Sequence, residues 1–360
     1  MVLNPITAIV AISRQGAKLA GVLNSVLEDS DLYVVRRFAG EVTSDVKVFD
    51  LPARSVVADV FGRYSSLVLF MPVGAAVRLI ASEINDKHTD PAVVCVDDAG
   101  EFVVSLLSGH VGGADELAQK VASVLGATPV ITSASHALGT FAVDTLGSER
   151  GWLIEASSTS VTRVSAAVVN GDAVGVYQDA GELLTLKNEN SGNLSVHNSL
   201  DSLARSEVFA ALIVTDRLVA VSNFGETPLV VYRPKTLVAG MGCKRGVPAN
   251  ELETFLRQVL LNNNLAIDSL KCIATSDVKR DEDGLNELAE SLDVPIRFYC
   301  ADDLNSRPGP SGPSAASKHL GVVGVSEPAA MLASGCETLI VTKTKAKRAT
   351  VAIARVEHAL

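Results

Sequence analysis

The sequence predicts an α/β fold in which two open, mostly parallel α/β units, residues 1–145 and 235–360, flank a small strand-rich middle unit, residues 146–234. Three observations support this prediction. In both outer units, aliphatic runs typical of buried strands alternate with segments whose apolar residues recur at helical spacing. Aromatic residues make up only 4% of the chain, which favours the aliphatic core of a parallel sheet. The middle unit instead combines polar stretches with short β-branched runs.

The first unit is predicted to begin with a strand and to alternate strands with helices. Its predicted strands are Ile6–Ile12, Leu32–Val35, Leu67–Met71 and Pro129–Thr132, and its predicted helices are Ala17–Leu27, Ala75–Ile84 and Ala114–Leu125. A hairpin is expected where Ala92–Val96 and Phe102–Leu107 flank Asp97-Asp98-Ala99-Gly100, because these four residues favour a turn.

The middle unit is predicted to contain three short strands, followed by a linker at Arg233-Pro234-Lys235 and the second α/β unit. The middle strands are Ala173–Tyr177, Phe209–Val214 and Leu229–Tyr232, and the polar stretches Ser157–Val161 and Lys187–Ser199 are predicted to be loops. The last unit has predicted strands Thr236–Ala239, Cys272–Ala274, Ile296–Tyr299, Thr338–Thr342 and Thr350–Ala354, predicted helices Ala249–Asn262, Asp281–Leu292 and Pro328–Ala333, and a long loop at Asp302–Lys318.

Composition excludes several classes of protein. With 31 basic and 41 acidic residues, the net charge of −10 provides no broad positive field for nucleic acid or an anionic membrane. The five cysteines form no CxxC pair, which excludes a disulfide scaffold and a thiolate-rich zinc site and favours reduced thiols in the cytoplasm. The longest apolar run, Leu67–Val77, is too short to span a membrane, and Met1–Ile12 lacks the basic start of a signal peptide.

The first motif that could carry chemistry is the stretch Ser108–Ala118, between a predicted strand and a predicted helix. Gly109, Gly112 and Gly113 would let backbone amides approach a ligand next to a helix N-terminus. We expect His110 at the carboxyl end of its strand, where its imidazole could transfer protons or coordinate a metal. The alternative is a plain turn, with Asp115 and Glu116 only complementing the helix dipole.

The second motif, Gly240–Pro248, is predicted to be a loop that follows a strand and opens a helix. Its glycine spacing, GxGxxxG, is one residue from the dinucleotide fingerprint and is a weak signal. Lys244 and Arg245 beside open backbone amides would clamp a carboxylate or a phosphate. Cys243 is either a thiol with a lowered pKa or a small buried side chain, and the second interpretation is favoured.

Three further features are weaker signals. Arg78 lies in the helix predicted after Pro72-Val73-Gly74 and is either solvated or part of a site. Glu327 is a helix-capping residue or an acid/base, and capping is the preferred interpretation. The basic run Lys343–Arg348 is predicted to be a solvated hairpin tip that could also recruit an anionic ligand.

Together, these motifs resemble the cobalamin-biosynthesis protein G family, the cobalt-precorrin-5A hydrolases. The resemblance rests on three stretches, Gly74–Thr132, Gly240–Gly246, and Val325–Ala330 with Thr350–Arg355. It covers both outer units in the family's order, whereas the middle unit matches only in size and position.

The resemblance implies an enzyme of anaerobic cobalamin biosynthesis that opens the ring-A δ-lactone of cobalt-precorrin-5A and releases acetaldehyde to give cobalt-precorrin-5B. Under this hypothesis, His110 is the general base or an axial contact to the substrate's cobalt, and Glu116 and Glu327 are reserve acid/base candidates. The remaining candidates are substrate-binding residues, with Ser108, Gly109, Gly112, Gly113, Gly240, Gly242 and Cys243 lining the loops and Arg78, Lys244 and Arg245 holding carboxylates.

The resemblance also implies no cofactor or metal of the protein's own, because cobalt arrives inside the substrate. Its partners would be cobalt-precorrin-5A and neighbouring enzymes of the pathway, with a homodimer as an option. Two other functions stay open. One is a non-catalytic carrier or assembly module for tetrapyrrole intermediates. The other is a nucleotide-binding oxidoreductase, which is disfavoured because no acidic residue follows the glycine motif at ~20 residues.

Overall fold

The computed structural model describes residues 7–86, 89–110, 112–133, 139–147, 150–184, 193–312 and 322–356. The chain separates into two compact units, Met1–Thr145 and Leu146–Leu360, of which the first holds one sheet and the second holds two. The α/β class with mostly parallel sheets is confirmed, and the division into three domains stays a prediction. Within these ranges, no helix is long and apolar enough to cross a membrane.

The first unit is a seven-stranded sheet in the order β3-β2-β1-β4-β5-β6-β7. All neighbouring strands are parallel except β5 and β6, which form the predicted hairpin. Its elements are β1 (Thr7–Ala11), α1 (Arg14–Asn24), β2 (Ser30–Val35), β3 (Lys47–Phe49), α2 (Arg54–Arg63), β4 (Ser66–Phe70), α3 (Val73–Ile80), β5 (Ala92–Val96), β6 (Phe102–Leu107), α4 (Ala114–Leu125) and β7 (Thr128–Val130).

Helices cover both faces of this sheet because successive residues of its strands point to opposite sides. In β1, Ile9 and Ala11 pack with α1 and α4, whereas Ala8 and Val10 pack with α2 and α3. All five residues of β1 are buried, which explains why the strand reads as a continuous apolar run in the sequence.

The first sheet of the second unit has the order β10-β9-β11-β12-β8, with only β8 antiparallel to its neighbour. Its elements are β8 (Leu153–Glu155), α5 (Ser158–Asn170), β9 (Val174–Gln178), β10 (Leu194–His197), α6 (Leu200–Ala204), β11 (Ala210–Val214) and β12 (Leu229–Arg233). The predicted loop at Ser157–Val161 is wrong, since it begins the helix α5, and so is the one at Lys187–Ser199, where Leu194–His197 forms β10. The Ser157 hydroxyl accepts a hydrogen bond from the Ser160 amide (3.1 Å), so this polar residue is a helix cap.

The second sheet of this unit has the order β15-β14-β13-β17-β16, in which β13 and β17, and β17 and β16, are antiparallel. Its elements are β13 (Leu237–Cys243), α7 (Ala249–Asn262), β14 (Leu270–Ser276), α8 (Asp283–Ser291), β15 (Ile296–Tyr299), α9 (Ala301–Ser306), α10 (Ser326–Ser334), β16 (Leu339–Lys345) and β17 (Ala349–Arg355). Helix α9 occupies the start of the loop predicted at Asp302–Lys318, and residues 313–318 of that loop lie outside the described residues.

The predicted linker at Arg233 is a buried junction between these two sheets. Arg233 is 1% exposed and forms an ion pair with Glu155 (2.6 Å). The fully buried carboxylate of Asp216 accepts two hydrogen bonds from Arg355, at 2.6 and 2.7 Å, and one from Thr236 at 2.7 Å. The predicted linker is therefore wrong: the polar residues that suggested it are buried ion-pair and hydrogen-bond partners that fix the junction.

Candidate functional site

The loop that carries His110 lies at the opposite edge of the first sheet from the one predicted. His110 follows β6, and β6 runs antiparallel to β5, so the loop meets the amino ends of the parallel strands. The Ser108 hydroxyl confirms this place by donating a hydrogen bond to the carbonyl oxygen of Asp90 (3.1 Å), just before β5. His110 therefore lies after the carboxyl end of its own strand, as predicted, but not at the carboxyl edge of the parallel strands, where open α/β sheets bind ligands.

The glycines of this loop serve mainly to close the turn into α4. Gly113 has φ +82°, and a side chain at Gly112 would place its Cβ atom 2.3 Å from the Cβ atom of Ser108. The Gly113 amide donates to the carbonyl oxygen of His110 (3.0 Å), and the Ala114 amide donates to that of Ser108 (3.1 Å). These two amides are occupied within the turn. Val111, also in this motif, lies outside the described residues.

The turn brings His110 to a carboxylate. His110 Nδ1 lies 3.6 Å from Asp115 Oδ2, at ion-pair distance, and the Ser105 hydroxyl donates to Asp115 Oδ1 (2.6 Å). The Asp115 side chain is 13% exposed and that of His110 is 29% exposed. Asp115 Oδ2 has no hydrogen bond among the described residues, so a small shift that closes this distance would place the imidazole proton on Nδ1 and leave Nε2 as the basic nitrogen. The geometry thus suits proton transfer by His110 with Asp115 as its orienting partner.

The second unit has a basic pocket of about 330 Å³, defined here as the cavity lined by Gly242, Cys243, Lys244, Ser276, Lys279, Val325, Ser326, Lys343, Lys345, Ala346, Lys347, Arg348, Ala349 and Thr350. It opens at the carboxyl ends of β13 and β14, beside the turn that joins β16 to β17 and the N-terminus of α10. Ligands of open α/β sheets bind at this edge. Six of its lining residues are basic and, among the residues described, none is acidic.

Two glycines of β13 let neighbouring elements approach the strand closely, α10 at Gly240 and β17 at Gly242. A Cβ atom at Gly240 would lie 1.8 Å from the carbonyl oxygen of Ser326, and one at Gly242 would lie 2.8 Å from Oγ1 of Thr350. The predicted loop at Gly240–Cys243 is wrong, because these residues belong to β13 and pair with Ala349–Ala352 of β17. Glycine is required here for helix–strand contact, a cause that glycine spacing alone does not distinguish from ligand binding.

Sequence profiles of one family match the chain in three consecutive regions. They are described as "Cobalamin synthesis G N-terminal" (residues 55–136), "Cobalamin biosynthesis central region" (141–234) and "Cobalamin synthesis G C-terminus" (237–354). A Priestia megaterium protein named "Cobalt-precorrin-5A hydrolase" is 38% identical over 360 residues, covering 98% of this chain and 95% of its own. The chain belongs to the cobalamin synthesis G family.

The chain is also similar to a second relative and to a solved structure. A Salmonella typhimurium protein, also named "Cobalt-precorrin-5A hydrolase", is 35% identical over 291 residues, covering 79% of this chain and 81% of its own. A solved structure titled as a putative cobalamin biosynthesis protein G homolog from Sulfolobus solfataricus is 20% identical, with a TM-score of 0.37 and coverage of 99% of this chain and 98% of that one.

The three cationic residues predicted to hold carboxylates have different surroundings. Lys244 lines the basic pocket, whereas Arg245 pairs with Asp281 (3.2 Å) at an exposed position and lines a different, acidic cavity. Arg78 donates to the carbonyl oxygen of Gly74 (2.6 Å), at the carboxyl end of β4. Because His110 lies at the amino edge of the same sheet, the structure does not bring Arg78 to it.

Cys243 lines the pocket but is not prepared as a nucleophile. Burial raises the pKa of its thiol, although the nearby Lys279 and Arg348 act in the opposite direction. Since the thiolate is the reactive form, the neutral thiol at pH 7 behaves as a small side chain. This agrees with the preferred interpretation from the sequence.

The two reserve carboxylates differ in environment. Glu116 is exposed in the first turn of α4. Glu327 is 2% exposed, and its carboxylate accepts hydrogen bonds from the Ser311 hydroxyl (2.7 Å) and the Lys343 amide (2.9 Å). Burial opposes its ionisation, but these hydrogen bonds outweigh burial and hold the pKa of Glu327 below its usual value. A carboxylate so occupied suits a structural tie between α10, β16 and the segment at Ser311 better than a proton donor.

Sequence reasoning missed Asp115, Lys279 and Ser326 as site residues. Asp115 was assigned only to the helix dipole, although its spacing of five residues from His110 across a turn could have suggested a pair. Lys279 belongs to no motif, and Ser326 lies in the Val325–Ala330 stretch without a predicted role; both reach the basic pocket because β14 and α10 pack beside β13.

Proposed function

We propose that this protein is a cobalt-precorrin-5A hydrolase, which uses water to open the ring-A δ-lactone and releases acetaldehyde to give cobalt-precorrin-5B. The observation that carries this proposal is the 38% identity to the Priestia megaterium protein of that name, which extends over nearly the whole of both chains. Cobalt belongs to the substrate in this reaction.

His110 and Asp115 fit the proton-transfer part of this reaction. Nε2 of His110 would accept a proton from the attacking water while Asp115, held by the Ser105 hydroxyl, stabilises the imidazolium that forms. The same imidazolium can then return the proton to the macrocycle as the carbon fragment leaves. General base catalysis of this kind contributes about 10²–10⁴-fold to a rate.

The test is anaerobic incubation of the purified protein with cobalt-precorrin-5A, with acetaldehyde trapped as a hydrazone and the macrocycle followed by mass. We expect acetaldehyde and a macrocycle whose mass falls by that of acetaldehyde less that of the water added. Binding of an unchanged macrocycle without acetaldehyde would contradict the hydrolase and favour the carrier. The variant His110→Gln, compared with the exposed Lys120→Gln on α4, separates loss of the base from general damage.

We further propose that the protein acts in the cytoplasm next to other enzymes of the pathway, and that it assembles as a homodimer. The acidic composition and the five cysteines without a CxxC pair support the first part. Size-exclusion chromatography with light scattering tests the second, and a mass near the 37.6 kDa of one chain would contradict it.

A further inference from the structure

The basic pocket has more positive charge than its neighbours neutralise. Arg348 is paired with Glu251 (3.2 Å), and Lys279 is paired with Glu282 (3.1 Å). Lys244, Lys345 and Lys347 form no ion pair with any residue that the structure describes, whereas the charge of Lys343 also acts on the nearby carboxylate of Glu327. Holding like charges together without counterions is unfavourable, so a cluster of this kind attracts an anionic ligand.

A second, independent feature of the pocket is a buried hydroxyl group. Ser326 is 1% exposed and lines the pocket, and its Oγ atom has no hydrogen-bond partner among the described residues. A buried polar group without a partner is costly, and an acceptor bound in the pocket would satisfy it. Ser326 is also the first residue of the nine-residue helix α10, whose N-terminal amides favour an anion.

The volume of the basic pocket and the residues that line it limit the class of ligand it can bind. A cavity of about 330 Å³ is at the small end for a drug-sized molecule, so a macrocycle would insert only part of its rim. Val325, Ala346 and Ala349 add apolar surface beside the lysines, which matches an apolar ring edge with charged substituents. Lysine is a flexible point charge, which suits carboxylates on rotatable side chains better than one rigid planar anion.

We propose that the basic pocket binds carboxylate side chains on the rim of the tetrapyrrole substrate, with Lys343 and Lys345 as the principal cations and Ser326 as a hydroxyl donor. This inference rests on the proposed function for the identity of the substrate. It moves the carboxylate-binding role from Arg245 to the β16–β17 turn. The lysines of that turn act in binding and take no part in bond cleavage.

The first arm of the test measures binding without turnover. Uroporphyrin III, a stable fluorescent tetrapyrrole with acetate and propionate substituents, is titrated into the full-length protein and into the double variant Lys343→Gln/Lys345→Gln. Each lost charge-assisted contact in a solvent-open pocket is expected to raise Kd about fivefold to tenfold, and the double variant about 25-fold or more. Ser326→Ala should raise Kd about threefold.

The matched control is Lys271→Gln, which removes the same charge from the same sheet. Lys271 is the second residue of β14 and lies near its amino end, whereas the pocket opens at the carboxyl end. Its Kd should stay within about twofold of the wild type. An equal rise in Kd for the control would show a general charge effect and would overturn the proposal.

The second arm measures KM and kcat for acetaldehyde release from cobalt-precorrin-5A. The double variant should raise KM with little change in kcat, because binding and not chemistry is altered. If the wild type is active and neither KM nor Kd changes in the double variant, the pocket proposal fails and the hydrolase stands. If the wild type releases no acetaldehyde but Kd still depends on the two lysines, the hydrolase fails and carboxylate binding stands.

Competition identifies the anion. Succinate should displace uroporphyrin III from the wild type, and this displacement should weaken in the double variant. Displacement by inorganic phosphate with no effect of succinate would reassign the pocket to a phosphorylated ligand and overturn the proposal.

Discussion

Substituting Gly240 by alanine tests whether α10 must touch β13. The added Cβ atom would lie 1.8 Å from the carbonyl oxygen of Ser326 and 2.8 Å from the amide nitrogen of Ala330, and both contacts are with helix backbone. The helix must move by at least about 1.2 Å to restore even a tight contact of 3.0 Å. Overpacking of this kind typically costs 1–3 kcal/mol, and two backbone clashes place Gly240→Ala at about 3 kcal/mol.

The matched control is Gly324→Ala, just before the same helix. Its Cβ atom would meet only the Cδ atom of Pro328, at 3.9 Å, which is an ordinary contact. Alanine there should change the free energy of unfolding by less than about 1 kcal/mol and could raise it by restricting the unfolded chain.

The free energy of unfolding is measured in urea through the fluorescence of Trp152. It is the one tryptophan of the sequence, is 9% exposed, and lies in the same unit as Gly240. Because α10 carries Ser326, Gly240→Ala should also raise the KM for cobalt-precorrin-5A. Equal unfolding midpoints for Gly240→Ala and Gly324→Ala would refute the close approach of the helix and the strand.

Three further predictions concern individual side chains. Asp115→Asn should lower kcat for acetaldehyde release at least about tenfold without changing KM, because an amide cannot stabilise protonated His110; an unchanged kcat would remove Asp115 from the mechanism. Glu327 has a lowered pKa in the folded state, so its contribution to stability is present above its ordinary pKa of 4.5 and is lost as the pH falls below that value. In urea unfolding, Glu327→Gln should therefore be less stable than the wild type at neutral pH and equally stable in acid. A difference in the free energy of unfolding that does not change with pH would contradict this. Iodoacetamide should modify the exposed Cys300 before Cys243, whose raised pKa keeps it as a thiol, and mass mapping with the reverse order would show an accessible thiolate.

Much of the fold could be predicted from the sequence because buried parallel strands leave a simple pattern. The apolar runs at Ile6–Ile12 and Leu67–Met71 mark β1 and β4, and the spacing of Leu252, Leu256 and Val259 marks α7 at its observed bounds. The predictions are wrong where a polar residue caps a helix or forms a buried ion pair, because such residues look like loop residues in the sequence. Ser157 is a helix cap, and Arg233 is a buried ion-pair partner.

The candidate site was predictable in residue type but not in arrangement. A histidine among glycines between a strand and a helix predicts proton transfer by His110, and the structure adds Asp115 at 3.6 Å. The same reasoning placed the loop at the wrong edge of the sheet, because a predicted hairpin reverses the strand that precedes it. Counting the direction of β6 after the hairpin would have corrected this.

The sequence by itself determined the α/β class, the family and the chemical types of residue available, because these depend on local pattern and on motifs read in order along the chain. Only the tertiary structure decided which of them meet. Lys279, Ser326 and Lys343 come from separate elements, and they line one pocket because Gly240 lets α10 approach β13. Contacts between residues distant in sequence depend on packing, which no local pattern encodes.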